Sequence, residues 1–275
     1  MKNIRIKLAA VALVLCAGTA SAGVDGSAAK IRSAVASGSV DAIIAEVERA
    51  EGLACDDCVQ LVTNLTEDSR YQVREVAAWW FAKRPALKRM LAEQFDRELV
   101  TGGTTNVRNA ADFLGATMSY TSLPNLSAAV RRDVGAEAKV AVVRALGVLG
   151  HKNGDDALTF AMTDRDAGVR AAAVRAWRDI YDQADAGPVV GRLTDADANV
   201  RAEAATVVGA MKTLAGRAGL EALVVSDPSP VVRRNAAWAL GKLGQAASAG
   251  ALAKASTDES SLVRMTAKAS LAQLR

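Results

Sequence analysis

The stretch Asp227-Pro228-Ser229-Pro230-Val231-Val232-Arg233-Arg234-Asn235-Ala236-Ala237-Trp238-Ala239-Leu240-Gly241 decides the fold. Val232, Ala236 and Leu240 stand at −1, +3 and +7 relative to Arg233, which is one face of an α-helix. Asp227 stands six residues before Arg233, in the turn that leads into that helix. Working outward, the V-R dipeptide recurs as Val73-Arg74, Val107-Arg108, Val169-Arg170, Val200-Arg201 and Val263-Arg264, with Ala138-Lys139 filling the gap. The basic residues are 34, 31, 31, 31, 32 and 31 positions apart. Aspartate recurs at −6 as Asp68, Asp133, Asp164, Asp195 and Asp258, with Gly102 in the second copy. Alanine recurs at +3 as Ala77, Ala111, Ala173, Ala204 and Ala267, with Val142 the exception. Phe81, Leu146, Trp177, Val208 and Leu271 occupy +7, with Gly115 in the second copy.

A less regular helix precedes each turn, for example Ala86 to Leu99, Asp155 to Met162 and Gly187 to Leu193. The unit is therefore helix, turn, helix. One such unit cannot bury its own apolar face, so the copies must stack. The expectation is an all-α chain: a right-handed α-solenoid of about seven 31-residue helix-turn-helix repeats over residues 55–275. The small residue at +3 is expected to let the neighbouring helix approach. Residues 27 to 51 lack the motif and read as an antiparallel helix pair. They form the centre of an N-terminal helical cap over 23–54, since the end copies of solenoids are atypical.

This pattern resembles the HEAT-like repeats, in the short form first described in phycobilin lyases. The D-x-x-x-x-V-R-x-x-A-A-x-x-L-G form stands almost intact in Asp227 to Gly241. The resemblance covers roughly residues 55 to 275. It implies the fold strongly and the function hardly at all. It also implies that the turn aspartates and helix basic residues pair within and between copies, which is a structural role. The T-P-L-H signature of ankyrin repeats and the W-x-x-L-G-x-x-Y signature of tetratricopeptide repeats are absent.

Composition agrees with this. The 275 residues are 51% hydrophobic and 4% aromatic, with about a fifth alanine, a good helix former and a poor strand former. That apolar content excludes a disordered chain. Residues 1–22 read as a secretory signal peptide: Lys2, Arg5 and Lys7, an apolar run from Leu8 to Ala17, then Ala20-Ser21-Ala22, with cleavage after Ala22. The chain is expected to be exported, periplasmic or secreted. Without those three cations the balance is 31 basic to 30 acidic residues. Nucleic-acid binding then loses its electrostatic support. No later apolar run approaches the length of a membrane span, so no membrane insertion of the mature chain is expected.

Few residues suggest chemistry. Cys55 and Cys58 form a C-x-x-C pair, Cys16 being removed with the signal peptide. In an exported chain the first reading is a local disulfide; the alternative is a thiol-disulfide redox centre. Asp56 and Asp57 between the cysteines disfavour thiolate, and no βαβ context surrounds them. The single histidine, His151, lies in a polar loop and has no nucleophile paired with it by pattern. It cannot build a multi-histidine metal site. No catalytic residue, metal or cofactor is expected.

The informative columns are those that change from copy to copy. At +5 stand Trp79, Phe113, Arg144, Arg175, Thr206, Trp238 and Ala269; at +1 stand Glu75, Asn109, Val140, Ala171, Ala202, Arg234 and Met265. Stacking aligns these into one band along the second helices, which usually line the concave surface of a solenoid. Aromatics and arginine are the residue types enriched at binding hot spots. Trp79, Phe113, Arg144, Arg175, Arg234 and Trp238 are therefore the candidate partner-binding residues. The alternative for each tryptophan is burial between repeats. Trp79, Trp80 and Phe81 cannot share one stripe, since neighbours on a helix point about 100° apart. The functional expectation is a non-catalytic scaffold of the cell envelope, monomeric or within a hetero-complex, binding a protein or peptide. A redox factor, or a structural subunit of an envelope complex, is the rival.

Overall fold

A computed structural model of the protein describes residues 24–53, 55–184 and 186–274. Every regular element among them is helical. The expected signal peptide lies outside the described residues. Among them no helix is long and apolar enough to cross a membrane.

The chain divides into two compact units between Leu61 and Val62. In the first, α1 (Val24–Ser37) and α2 (Val40–Arg49) form a helical hairpin. Gly38 makes the turn at φ +72°, and Ser39 caps α2 by accepting from the Ala42 N–H at 3.2 Å. Ile31, Ile43 and Val47 are buried between the two helices. The third helix, α3 (Asp56–Leu65), carries the division between the units within it.

The second unit is a succession of helix pairs. After α4 (Tyr71–Ala82) come α5 (Pro85–Thr101) with α6 (Thr104–Ala116), and α7 (Leu123–Ala129) with α8 (Gly135–Leu149). Then follow α9 (Asp155–Ala161) with α10 (Ala167–Trp177), and α11 (Gly187–Val190) with α12 (Ala198–Ala210). The last pairs are α13 (Arg217–Ser226) with α14 (Pro230–Leu243), and α15 (Ala249–Ala255) with α16 (Ser261–Leu271). Each basic residue of the motif sits on an even-numbered helix from α4 to α16, so the frame read from the sequence is the frame of the stack. These second helices pack against one another in order, and form an all-α solenoid layer. Except for the 17-residue α5, the first helices are shorter than their partners and are often completed by a turn of 3₁₀ helix. Gly187 to Leu193, expected as one helix, is a single α turn followed by a 3₁₀ turn over Gly191–Thr194.

The core columns are buried except at Leu271, which is half-buried at the end of α16. Val73, Val107, Val169, Val200, Val232 and Val263 are fully buried, as are all six motif alanines and Val142. At +7, Phe81, Leu146, Val208 and Leu240 are fully buried and Trp177 nearly so. The closest backbone approach, however, is made elsewhere than at +3. A Cβ placed on Gly209 would lie 2.7 Å from the Cα of Ala239, and one on Gly241 would lie 3.0 Å from the Cα of Ser270. A Cβ on Gly115 would lie 2.9 Å from the Cα of Ala145, and one on Gly147 would lie 3.3 Å from the Cα of Ala176. A glycine near the end of one second helix thus receives the small +6 residue of the next. Small residues on both sides of the contact let the helix axes come this close.

Two glycine substitutions of opposite sign follow from this. Alanine is favoured over glycine within a helix by about 1 kcal/mol. At Gly209 that gain is outweighed, because the new methyl meets backbone; Gly209→Ala is expected to destabilise by about 1–3 kcal/mol. At Gly250 in α15 a Cβ meets nothing within 4 Å. Gly250→Ala is expected to be neutral or stabilising by up to about 1 kcal/mol. Urea unfolding midpoints check both signs.

Candidate functional site

The repeating charges of the turns and second helices pair between copies. From the third copy onward they form a regular ladder. Arg170 donates through Nε and Nη2 to both carboxylate oxygens of Asp195, at 2.9 and 2.7 Å. Arg201 does the same to Asp227, and Arg233 to Asp258. Lys139 reaches Asp164 at 2.7 Å. The remaining guanidinium nitrogen turns back on its own copy: Arg201 Nη1 donates to the carbonyls of Asp195 and Ala196 at 2.8 and 3.0 Å. Each aspartate also accepts the backbone N–H two residues on, as Asp195 does from Asp197. These charges are internally satisfied, as the resemblance implied, and present nothing to a ligand.

The ladder breaks in the second copy, where Gly102 replaces the aspartate. Arg74 turns instead to Asp112 on α6, at 2.9 and 2.7 Å. Arg144 on α8 holds the other oxygen of Asp112 at 2.5 Å and lies over the Tyr71 ring, 4.1 Å from its centroid. The side chains of Arg74 and Asp112 are 5% and 2% exposed, so their pair is buried, and Arg144, 37% exposed, completes the triad from the groove side. Arg108 likewise finds Glu137 and Asn109 in place of Asp133. Sequence reading passed over Asp112. The signal was present in the missing aspartate at 102, which leaves Arg74 without its usual partner.

The second helices carry open grooves, and the variable columns line them. Tyr71, Glu75, Trp79, Asp112, Arg144 and Val148 line one of 290 Å³. Val140, Arg144, Val148, Arg175 and Asp179 line another of 480 Å³. Thr206, Arg234, Asn235, Trp238 and Thr266 line a third of 290 Å³. Five of the six sequence candidates therefore lie on groove walls. Trp79 and Trp238 are half-buried, each with a lysine 5.6 Å from the ring centroid, Lys83 and Lys242. Arg175 is exposed and paired with Glu203. Phe113 departs from the expectation. It is 2% exposed, with its ring 4.8 Å from Phe95 and 5.9 Å from Phe81. The long helix α5 covers it, so it belongs to the core and cannot meet a partner. Of the adjacent aromatics, Trp80 and Phe81 are buried and Trp79 faces the groove.

The remaining chemical candidates are quiet. Cys55 and Cys58 bring their sulfurs to 2.01 Å, and both residues are buried, which closes them to a second thiol. His151 is exposed, its Nδ1 accepting from the Asn153 N–H at 3.1 Å. Among the described residues no three potential metal ligands cluster.

Comparison with known proteins bears on the stack. Residues 188–272 match the family described as HEAT repeats. Over that stretch the chain carries HEAT-like repeats. No curated protein matches it. Among solved structures, Escherichia coli YibA is 16% identical, with 90% of this chain and 92% of that chain covered and a TM-score of 0.56. Kap95p, solved in a study of its binding to RanGDP, is 13% identical at a TM-score of 0.56; the match covers 79% of this chain and 36% of that one. An engineered protein is 20% identical, covering 92% and 78%, with a TM-score of 0.50. At these identities the likeness is one of fold.

The paired aspartates of the turns set an acid limit on stability. Arg70 beside Asp68 and Arg233 beside Asp258 hold those carboxyls below the ordinary aspartate value of 3.8. For Asp164 and Asp195, burial pushes upward, but the paired Lys139 or Arg170 and the local backbone N–H outweigh it. A folded pKa below the unfolded one stabilises at all pH above the unfolded value, and the gain is lost as pH falls through the folded value. Urea midpoints are therefore expected to fall as pH drops below about 4, and Asp195→Asn to shallow that slope. In the triad, Asp112→Ala leaves the buried Arg74 guanidinium without its counter-ion and takes its partner from the part-exposed Arg144, at a cost of about 3–5 kcal/mol. Equilibrium unfolding at neutral pH measures it.

Proposed function

We propose that the protein is an exported, non-catalytic scaffold that docks a protein or peptide segment along the grooved face of its second helices. The observation that carries this is the division of labour among the columns. The ladder charges from Lys139 to Asp258 are consumed inside the stack, whereas the copy-specific residues Trp79, Arg144, Arg175, Arg234 and Trp238 line open grooves. Half-buried tryptophan beside arginine is the composition of a binding hot spot. Kap95p, which binds RanGDP, shares the fold, and a stack of this kind offers an extended face rather than a closed pocket. The buried sulfurs of Cys55 and Cys58 favour a scaffold over a redox factor. Export rests on the character of residues 1–22, and mass analysis of the periplasmic form is expected to show a chain beginning at Gly23.

The test is cross-linking capture from the native envelope fraction with wild-type protein and with Trp79→Ala and Trp238→Ala. Each substitution is expected to lower capture about tenfold or more, a loss typical of a hot-spot residue. Melting temperature is expected to move little, since both rings are only half-buried. Parallel loss of melting temperature and capture would overturn the proposal.

A further inference from the structure

We infer that the groove between α12, α14 and α16 takes an acidic peptide segment, with a carboxylate held on Arg234 and an adjacent apolar side chain on Trp238. This rests on the reading of the second-helix face as a docking surface and adds the chemistry of what docks. Three observations carry it.

The first is that Arg234 is held ready. It is exposed, and its Nε and Nη2 both donate to the Asn235 carbonyl oxygen, at 3.1 and 2.8 Å. Asn235 is itself tied down, donating to the Ala202 carbonyl at 3.2 Å and the Thr206 hydroxyl at 3.1 Å. The guanidinium is thus fixed in orientation by a neutral group, its Nη1 has no hydrogen-bond partner among the described residues, and its charge is not neutralised. A braced guanidinium loses little freedom on binding and offers a strong charge-assisted bond to a carboxylate.

The second is the sign of the groove. Its lining contains Arg234 and no carboxylate, and a second cation, Lys242, lies over the Trp238 ring. The other grooves mix their charges: Asp179 faces Arg144 and Arg175, and Glu75 stands near Arg144. The same tryptophan and lysine pair occurs in the first copy as Trp79 and Lys83, but there +1 is Glu75 where this groove has Arg234. One device appears twice with opposite charge beside it, so the two ends of the face select different occupants.

The third is apolar surface in and next to the groove. Trp238 on its wall is half-buried, and Met265, the chain neighbour of the groove-lining Thr266, is 67% exposed. An occupant with alternating acidic and apolar side chains satisfies both the guanidinium and this surface.

Fluorescence anisotropy with the full chain and a fluorescein-labelled peptide alternating Glu and Leu tests the inference. The peptide is expected to bind, to weaken with added salt, and to bind about tenfold or more tightly than its Gln and Leu twin. Arg234→Gln is expected to abolish that preference. Arg234 is exposed, so an unchanged melting temperature shows that folding is not the cause. Lys254→Gln removes a like charge from α15, outside the groove, and is expected to leave affinity unchanged. Absence of binding, equal affinity for the twins, a preference kept in Arg234→Gln, or displacement by free succinate at equal concentration would each overturn it. If the peptide fails while envelope capture still requires Trp79 and Trp238, this inference falls and the docking face stands. If the peptide binds through Arg234 while capture ignores both tryptophans, the broader proposal falls.

Discussion

One guanidinium joins three pieces of chain, and the stack depends on it. Arg201 leaves its own helix, returns one nitrogen to the carbonyls of the turn before it, and gives its other edge to the aspartate of the next turn. That aspartate already accepts a backbone N–H of its own turn. Turn shape, helix start and distance to the next copy are thereby fixed together. The groups are largely shielded from water, so a misplaced copy would leave buried charge uncompensated, which costs far more than an exposed pair gains. The bond sets register between copies, and the apolar columns then fill the space that the register defines.

Close helix contact is the second constraint, and it works on the same elements. Glycine at the end of α12 and α14 admits the small residue of the following helix, so the second helices run nearly in backbone contact. Large side chains cannot sit on that contact line. They are displaced either into the interior, as with Trp80 and Phe81, or out along the exposed face, as with Trp79 and Trp238. The grooves are therefore a consequence of the packing: they lie beside the lines of small residues, walled by whichever residues occupy +1 and +5.

Where the ladder fails, the structure becomes particular. Gly102 removes one aspartate, and Arg74 and Arg144 converge on Asp112 instead. This places a charged triad beneath the groove of Trp79, at a position where the other copies have only a repeated rung. A departure from the repeat thus marks a place where the face differs from itself, which a binding surface requires.

The repeat, its frame and its helices were legible in the chain because each follows from local spacing: Val, Ala and a large apolar residue at −1, +3 and +7 can share a face only on a helix, and intervals of 31 to 34 residues between seven successive copies fix the frame. The Asp and Arg columns were legible for the same reason. Phe113 was not, because its burial is decided by α5, a helix from a different part of the unit that lies across it. Asp112 was not, because its value comes from two arginines 38 and 32 positions away. The glycine contact was not, since only interhelical distance shows that Gly209 meets Ala239 rather than solvent. Sequence by itself determined what each copy is and how many there are, since those are matters of periodicity. Tertiary structure decided which of the variable residues face outward and which charges remain unspent, because exposure and pairing depend on neighbours that periodicity does not name.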